Sequence, residues 1–265
     1  MIHLTKITIR ESKEDKYPFN IPLVKNIREM DFISPVTILV GENGTGKSTF
    51  LESLAVAVGS VTVGSESIMT DTTLSHAREL SDYISLSWKV KTRKGFFLRA
   101  EDFFNFANKM AQMAQELKDD LKKLELEYKG RTAHALKLAQ MPYVGSLQGI
   151  KQSYGEGLNV RSHGESFMDL FQSRLAPGGL YILDEPETPL SPTRQLAFIS
   201  LIKEMVQKNC QFIIATHSPI LMAYPNATIY NLDQFPLKKT NFQDLEHVKL
   251  TKDFLNNPEL FLRHL

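Results

Sequence analysis

A glycine-rich run between an apolar segment and a helical segment constrains the fold more than any other feature of the chain. The run is Gly41, Glu42, Asn43, Gly44, Thr45, Gly46, Lys47, Ser48 and Thr49. It fits the pattern G-x-x-x-x-G-K-[S/T] of a phosphate-binding loop. Residues 36–40 are apolar and predict a buried strand before the loop, while residues 50–55 predict a helix after it. A strand, a loop and a helix in this order predict a nucleotide-binding domain, and every residue of the run is a candidate nucleotide-binding residue.

The residue types of this loop match the physical needs of phosphate binding. Glycines allow a sharp turn and the close approach of several backbone N–H groups to one phosphate. The helix that begins near Lys47 adds the positive end of its dipole. Lys47 is expected to reach the terminal phosphates of the nucleotide, and the Ser48 hydroxyl is expected to ligate a Mg²⁺ ion.

The overall composition is that of an ordinary globular protein and excludes several classes of function. The chain has 265 residues, with 31 Lys and Arg against 30 Asp and Glu, so its net charge of +1 gives no general argument for nucleic-acid binding. The single cysteine, Cys210, rules out an internal disulfide and a cysteine-rich metal site. No apolar stretch is long enough to cross a bilayer, and the first six residues lack a signal-peptide core. We therefore expect a cytoplasmic protein.

Apolar runs and alternating patterns predict the strands. An early strand is expected within residues 2–10, a second extended segment at 17–27 and a further strand at 83–90. Two largely apolar runs, at 180–184 and 211–216, predict strands that are buried on both faces. Because the strands alternate with helices, we predict an α/β fold with a mostly parallel sheet, whose ligands lie at the carboxyl ends of the strands.

A helix is expected between those two buried strands. Ser191 is a suitable N-cap, and Pro192 suits the first helical position. Its apolar face is expected to consist of Leu196, Ile199, Ile202 and Val206.

Residues 101–128 show a helical spacing in which apolar side chains alternate steps of four and three. This heptad stripe consists of Phe103, Ala107, Met110, Ala114, Leu117, Leu121, Leu124 and Tyr128. Lysines and acids fill the other face. The stripe is typical of a helix packed on its own domain, or of a short antiparallel arm that closes near Gly130. A dimer contact or a partner-docking arm is the alternative that the pattern leaves open.

Two carboxylates, Asp184 and Glu185, stand between the apolar run that begins at residue 180 and Pro186. Burying carboxylates is costly unless a metal ion or a proton neutralises them. Beside a phosphate-binding loop, Asp184 is expected to hold Mg²⁺ through its water shell, and Glu185 to orient or deprotonate the attacking water. The alternative is a strand that simply ends at charged residues.

His217 follows the other buried run, residues 211–216. A lone histidine at a strand end is usually structural. Here it falls at the carboxyl end of a neighbouring strand, where a γ-phosphate would lie. Its imidazole is therefore expected to hydrogen-bond that phosphate and the attacking water.

The phosphate-binding loop, the pair Asp184 and Glu185, and His217, in this order, resemble the motifs of the ABC-type ATPases. The resemblance extends over nearly the whole chain and is closest to the SMC-like branch and its small stand-alone members, called AAA-family ATPases. It implies a single ATPase domain over residues 1–265, with an antiparallel N-terminal β portion. It also implies a helical subdomain at about residues 101–175.

The resemblance gives a role to each motif. Residues 184–186 match the Walker B motif with its catalytic glutamate, residues 187–191 match the D-loop, and His217 matches the switch histidine. The signature motif is matched by Ser162, His163, Gly164 and Glu165, where His163 replaces a glycine and Glu165 replaces a glutamine. These residues are expected to contact the γ-phosphate of ATP held by a second subunit. The alternative is an ordinary N-cap followed by a capping-box acid.

Two family features are poorly matched. The glutamine that senses Mg²⁺ should follow the strand at 83–90, but residues 95–104 contain no glutamine. Arg99 or Glu101 is a candidate replacement, with a surface salt bridge as the alternative. The aromatic residue that stacks on adenine should lie in the second strand, where Tyr17 and Phe19 are candidates for either stacking or the core.

The resemblance implies an ATPase that uses Mg²⁺ and converts ATP and water to ADP and phosphate in an ATP-sandwiched homodimer. The cycle would drive or gate a separate protein partner or a nucleic acid. One alternative is the nucleotide-binding subunit of an ABC transporter, which the missing glutamine, the altered signature and the helix at 101–128 argue against. Another alternative is an ATP-gated sensor or interaction module, for example in defence against foreign DNA.

Overall fold

The computed structural model describes residues 1–62, 74–154 and 163–263. The chain divides into two compact units, one formed by Met1–Ala100 with Leu175–Leu265, and the other by Glu101–Arg174. The helices within the described ranges all lack the combination of length and apolar content that a bilayer crossing requires.

The first unit is built on a six-stranded parallel sheet in the order β4-β6-β7-β8-β3-β9. Its strands are β3 (Val36–Val40), β4 (Val61–Thr62), β6 (Phe96–Arg99), β7 (Leu180–Asp184), β8 (Gln211–Ala215) and β9 (Thr228–Asn231). Every residue of β3, β7 and β8 is buried. Strands buried on both faces need continuous apolar sequences, which is why these three were predictable.

A second, antiparallel sheet of three strands completes this unit, in the order β2-β1-β5. Its strands are β1 (Leu4–Ile9), β2 (Glu29–Asp31) and β5 (Ile84–Trp88). Helix α2 (Lys47–Val58) lies between the two sheets and contacts β5 on one side and β7 and β8 on the other. The predicted α/β class, with a mostly parallel sheet and an antiparallel N-terminal portion, is therefore confirmed.

The remaining helices of this unit connect the strands or follow them. They are α1 (Pro22–Asn26), α3 (Ser75–Ser81), α7 (Pro192–Gln207), α8 (Pro219–Met222), α9 (Glu246–Asn256) and α10 (Pro258–Leu262), with a 3₁₀ turn at Phe242–Asp244. Cys210 is fully buried just before β8, as a small apolar residue would be.

The extended segment predicted at residues 17–27 is wrong, because most of its second half is helix α1. Pro22 occupies the start of this helix. An N–H group at that position would have no partner within the helix, so proline loses nothing there, and its fixed φ suits the helix. Proline also suits an edge strand, so Pro22 by itself does not distinguish a helix start from an extended segment. The second strand of the antiparallel sheet is instead the short β2.

Helix α7 begins at the predicted proline, but its details differ from the prediction. Ser191 occupies the N-cap position, yet its side chain makes no capping hydrogen bond. The buried side of the helix consists of Gln195, Phe198, Ile202 and Met205. Of the predicted stripe, Ile202 is buried, Ile199 and Val206 are half-buried, and Leu196 is 58% exposed. The buried face is thus rotated by about one residue relative to the predicted stripe, and it includes the polar Gln195.

The second unit contains three helices, α4 (Ala100–Glu127), α5 (Ala133–Tyr154) and α6 (His163–Arg174). The chain turns between α4 and α5 at Gly130, which adopts a φ of 97°. The Gln140 side chain on α5 donates a hydrogen bond to Glu125 on α4 at 3.4 Å. Leu117, Leu121 and Leu124 of the predicted stripe are half-buried. The two helices therefore form a hairpin, and the predicted helix at 101–128 is confirmed.

Candidate functional site

The glycine-rich run lies between the carboxyl end of β3 and the first turn of α2. Gly44 and Gly46 adopt φ values of 85° and 98°, a region that side chains with a Cβ rarely enter. The N-cap, Gly46, offers no side-chain hydrogen bond, and the first turn of α2 holds no acidic residue. The N–H groups at the start of α2 are thus left without a side-chain acceptor, as an anion site at a helix N-terminus requires.

The Lys47 side chain folds back over this loop. It is buried, and its Nζ donates hydrogen bonds to the carbonyl oxygens of Gly41 at 2.7 Å and Glu42 at 2.9 Å. Burial lowers the pKa of the Lys47 ammonium, while the nearby carboxylates of Glu185 and Asp184 act in the opposite direction. Lys47 therefore lies among carboxylates on one side and loop carbonyls on the other.

Asp184, the last residue of β7, is a buried carboxylate whose Oδ1 has no hydrogen-bond partner in the described part of the chain. The Ser48 hydroxyl is close enough to hydrogen-bond to the carboxyl group. Burial raises the pKa of Asp184 to about 7, although the hydrogen bond from Ser48 acts to lower it. A buried oxygen without a partner beside a hydroxyl fits Mg²⁺, which takes one or two protein oxygens and completes its shell with water and phosphate. When bound, Mg²⁺ would neutralise charge on the phosphates.

We expect the stability of the nucleotide-free protein to depend on this carboxyl group. Its pKa is raised in the folded state, so between about pH 4 and pH 7 the folded chain holds a proton that the unfolded chain has lost. The free energy of unfolding should therefore fall as pH rises through this window, by up to about 1.4 kcal/mol per pH unit from this group. Urea titrations without Mg²⁺ at several pH values should show this fall, and Asp184→Asn should remove it. If the free energy of unfolding depended on pH in the same way in both proteins, the raised pKa of Asp184 would be contradicted.

Glu185 and His217 face each other at the carboxyl edge of the sheet. Glu185 has a φ of 50°, a strained value for a residue with a side chain, and its carboxylate is 42% exposed. Its Oε1 lies 3.7 Å from Nε2 of His217, which makes no hydrogen bond to the described residues. The turn therefore presents the Glu185 side chain to solvent beside a buried imidazole nitrogen that has no hydrogen-bond partner among the described residues.

Arg99 lies where the sequence analysis looked for the missing glutamine, although its surroundings differ from those predicted. The predicted strand at 83–90 belongs to the antiparallel sheet, and the strand that pairs with β7 is the short β6. Arg99, its last residue, is in register with Asp184. Its Nη1 donates to Oε1 of Glu52 on α2 at 3.0 Å. The Arg99 side chain is only 16% exposed and Glu52 is buried, so this contact is not a surface salt bridge.

Two further residues, missed by the sequence analysis, tie neighbouring elements to the site. Nε2 of His76, on α3, lies 2.7 Å from Oε2 of Glu52. Asp233, just after β9, accepts a hydrogen bond from the backbone N–H of Glu42 at 2.7 Å. Both contacts join residues far apart in the chain, so no local pattern in the sequence could have indicated them.

The two adenine-stacking candidates differ in their environment. Phe19 is buried in the core and packs edge-on against Tyr83, with ring centroids 4.8 Å apart, so it is not available to a nucleotide. Tyr17 is 49% exposed, and its hydroxyl lies 3.0 Å from the Thr49 hydroxyl at the end of the loop. The structure thus corrects the pair to one candidate, Tyr17, which lies beside the phosphate-binding loop.

The signature motif is only partly within the described residues. Ser162 lies outside them, and helix α6 begins at His163 and carries Gly164 and Glu165 in its first turn. A contact of these residues with a second subunit therefore stays a prediction.

A cleft of about 230 Å³, open to solvent, lies at the same edge of the sheet on the side of β9. It is lined by Glu42 of the loop and by His217, and on its far side by Asp233 and by residues of α9 that include Leu250. Phosphate-binding N–H groups, a lysine, two carboxylates and a histidine thus meet at one edge of the sheet. This set can bind a nucleotide polyphosphate and activate a water molecule.

Comparison with known proteins agrees with this arrangement. Residues 79–223, more than half of the chain, match the family described as "AAA domain, putative AbiEii toxin, Type IV TA system". An uncharacterized ABC transporter ATP-binding protein of Haemophilus influenzae is 27% identical over 252 residues, which cover 92% of this chain and 88% of the relative. The tungstate uptake system ATP-binding protein TupC of Campylobacter jejuni is 25% identical, over 89% of this chain and 69% of the relative.

Among solved structures, the Smc head domain of Pyrococcus furiosus, with an extended coiled coil and bound to the C-terminal domain of ScpA, matches with a TM-score of 0.47. The match is 12% identical and covers 96% of this chain and all of the other. The family match includes β7, with Asp184 at its end, and β8, which precedes His217. The chain belongs to this AAA-domain family and is a P-loop ATPase of the ABC type.

Proposed function

We propose that the protein binds Mg²⁺-ATP and hydrolyses it to ADP and phosphate as an ATP-sandwiched homodimer, whose cycle drives or gates a partner protein or a nucleic acid. The observation that carries the proposal is the meeting of the glycine-rich loop, Asp184, Glu185 and His217 at one edge of the sheet. Each group has the chemistry that phosphoryl transfer to water needs, which is mostly positioning and charge stabilisation.

The proposed roles follow from the position of each residue. The loop N–H groups and Lys47 would hold the phosphates, and Ser48 and Asp184 would hold Mg²⁺. The Glu185 side chain is 42% exposed, and its carboxylate accepts no hydrogen bond from the described residues. It would therefore accept a proton from the attacking water. The imidazole of His217, 3.7 Å from that carboxylate, would orient the water and the γ-phosphate.

The homodimer part of the proposal rests on the family resemblance of residues 162–165 and 187–191. Because ATP would be shared between two copies, blocking hydrolysis should trap the dimer. We expect light scattering to give Glu185→Gln a doubled mass with ATP and Mg²⁺, and a single-chain mass without them. The matched control is the doubly substituted chain with Lys47→Ala added, which should stay at the single-chain mass. A mass that saturating ATP does not change would contradict the sandwich dimer.

The names of the relatives support two alternatives. Two relatives are ATP-binding proteins of transport systems, which favours a transporter subunit. Co-purification of the tagged chain with an integral membrane protein would support this alternative.

The family description mentions a toxin of a toxin–antitoxin system, which favours a gated defence module. Rapid steady-state hydrolysis by the isolated chain would exclude the version of that module in which ATP is bound but not turned over.

A further inference from the structure

Glu187 is a half-buried residue in the turn that follows Glu185, with one buried carboxylate oxygen, Oε2, and it reaches the loop that carries His217. Its Oε1 accepts hydrogen bonds from the backbone N–H groups of His217 at 2.7 Å and Ser218 at 3.1 Å. These two N–H groups come after the last residue of β8, so the strand ladder does not pair them. One carboxylate thus joins two loops that are 30 residues apart in the chain.

The turn around Glu187 is itself closed by local hydrogen bonds. The N–H of Thr188 donates to the carbonyl of Glu185 at 3.1 Å, and the N–H of Leu190 donates to the carbonyl of Glu187 at 2.7 Å. The position of the Glu187 carboxylate is therefore coupled to the conformation of residues 187–191, the segment that matches the D-loop.

The loop of His217 is held from its other side as well. The Ser218 hydroxyl donates to Oε1 of the buried Gln195 on α7, and it accepts from the N–H of Ile220, where it caps α8. Gln195 in turn donates from its amide nitrogen to the carbonyl of Leu190 at 3.1 Å. The loop is thus held from two sides by hydrogen bonds to Glu187 and to the buried Gln195, although Oε2 of Glu187 has no partner among the described residues.

The imidazole of His217 depends on this backbone support. Its Nε2 makes no hydrogen bond within the described part of the chain, although it lies 3.7 Å from the Glu185 carboxylate. No hydrogen bond at Nε2 from the described residues fixes the ring, so its place beside Glu185 depends on where the backbone of residue 217 is held.

We propose that Glu187 is a positioning residue for ATP hydrolysis, which holds the backbone of His217 so that the imidazole stays beside Glu185. The inference rests on the proposed function and deepens it. Because Glu187 belongs to the segment expected at the subunit contact, a movement of that segment would displace His217 through this carboxylate. Contact with a second copy of the chain would then control the position of the histidine.

The test compares two replacements of nearly equal size. Glu187→Met removes the acceptor, and a displacement of catalytic groups by about 1 Å costs up to about 100-fold. We expect kcat to fall by about 10- to 100-fold, with KM for ATP changed by less than about threefold. Glu187→Gln keeps an acceptor oxygen and should restore most of kcat. The matched control is Glu204→Met, which removes an exposed carboxylate of α7 and should leave both constants unchanged. Loss of kcat in the Gln variant equal to that in the Met variant would overturn the proposal.

A double-mutant cycle with His217→Ala separates positioning from a general loss of structure. If Glu187 acts through the histidine, Glu187→Met should cost less than about twofold in kcat once the imidazole is gone. A full, additive loss in the His217→Ala background would overturn the proposal. Should Glu187→Met not fold, Glu187→Asp takes its place, since its shorter side chain cannot reach both N–H groups and should give the same pattern.

Hydrogen exchange gives a readout that needs no ATP turnover. The N–H of His217 should exchange at least about tenfold faster in Glu187→Met than in the parent chain, while the N–H groups of β8 should not change. The N–H of Ser218 should respond less, because it also donates to Oγ1 of Thr216 at 3.0 Å. If the N–H of His217 exchanged at the same rate in both proteins, its hydrogen bond to Glu187 would be contradicted. An unsubstituted chain without turnover would overturn the proposed function, whereas turnover that Glu187→Met leaves unchanged would overturn only this inference.

Discussion

Replacing Glu185 by Gln should reduce the steady-state rate of ATP hydrolysis by at least about 100-fold, since general base catalysis contributes about 10² to 10⁴. An amide cannot take a proton from water, but it has nearly the shape of the carboxylate, and 42% of the Glu185 side chain is exposed. The strained φ of 50° belongs to the backbone and is the same for glutamine. We therefore expect an unchanged fold. Phosphate release under saturating ATP and Mg²⁺ measures the effect.

The affinity for nucleotide distinguishes a catalytic role from a structural one. The Kd for ATP of Glu185→Gln should stay within about threefold of the parent value, because Glu185 is not expected to hold the phosphates. Glu204→Gln is the matched control, as it makes the same chemical change at an exposed carboxylate on α7. Turnover near the parent rate in Glu185→Gln would sink the role of this residue and would point to another base.

Replacing Lys47 by Ala should weaken ATP binding by about 10- to 100-fold, which corresponds to the loss of one or two charge-assisted hydrogen bonds of about 1.5–3 kcal/mol in total. The ammonium lies at the start of α2, within the loop, and it is buried. In the nucleotide-free chain its ammonium donates to the carbonyls of Gly41 and Glu42, so phosphate would have to replace these two acceptors. Equilibrium binding of a fluorescent ATP analogue measures the change.

The stability of Lys47→Ala needs a separate measurement, since the lysine also supports the loop. Burial already lowers the pKa of this ammonium, so its removal relieves a desolvation cost while it removes two hydrogen bonds. We expect the melting temperature to change little. Lys208→Ala, which removes an exposed lysine paired with Glu204, is the control for the loss of one positive charge. An unchanged Kd for ATP in Lys47→Ala would remove the proposed role of this lysine.

The sequence allowed the central strands to be predicted because each is buried on both faces. In β3, β7 and β8 every residue is buried, and a continuous apolar run is the local sign of that environment. Strand β6 has only four residues, and its charged end, Arg99, made it resemble a loop. Helix α1 was missed because Pro22 fits both a helix start and an edge strand.

The site could be predicted only where a local pattern encodes it. The glycine-rich loop and the pair Asp184 and Glu185 are contiguous in sequence, so their residue types and spacing indicate their chemistry. The bonds from Glu187 to the loop of His217 and from Arg99 to Glu52 cross 30 and 47 residues. Such contacts depend on how the sheet brings its strands together, and periodicity within one segment carries no information about them.

The position of Glu52 on α2 bears on how fast a nucleotide could bind. Glu52 lies on α2 one turn after Ser48. Its carboxylate contacts Arg99 at the end of β6 and His76 on α3. The helix that presents the phosphate-binding N–H groups is therefore fixed to two neighbouring elements before any nucleotide arrives. A site that is already ordered loses little conformational entropy on binding. Association should then follow a single exponential whose rate rises linearly with nucleotide concentration, without a slower ordering phase.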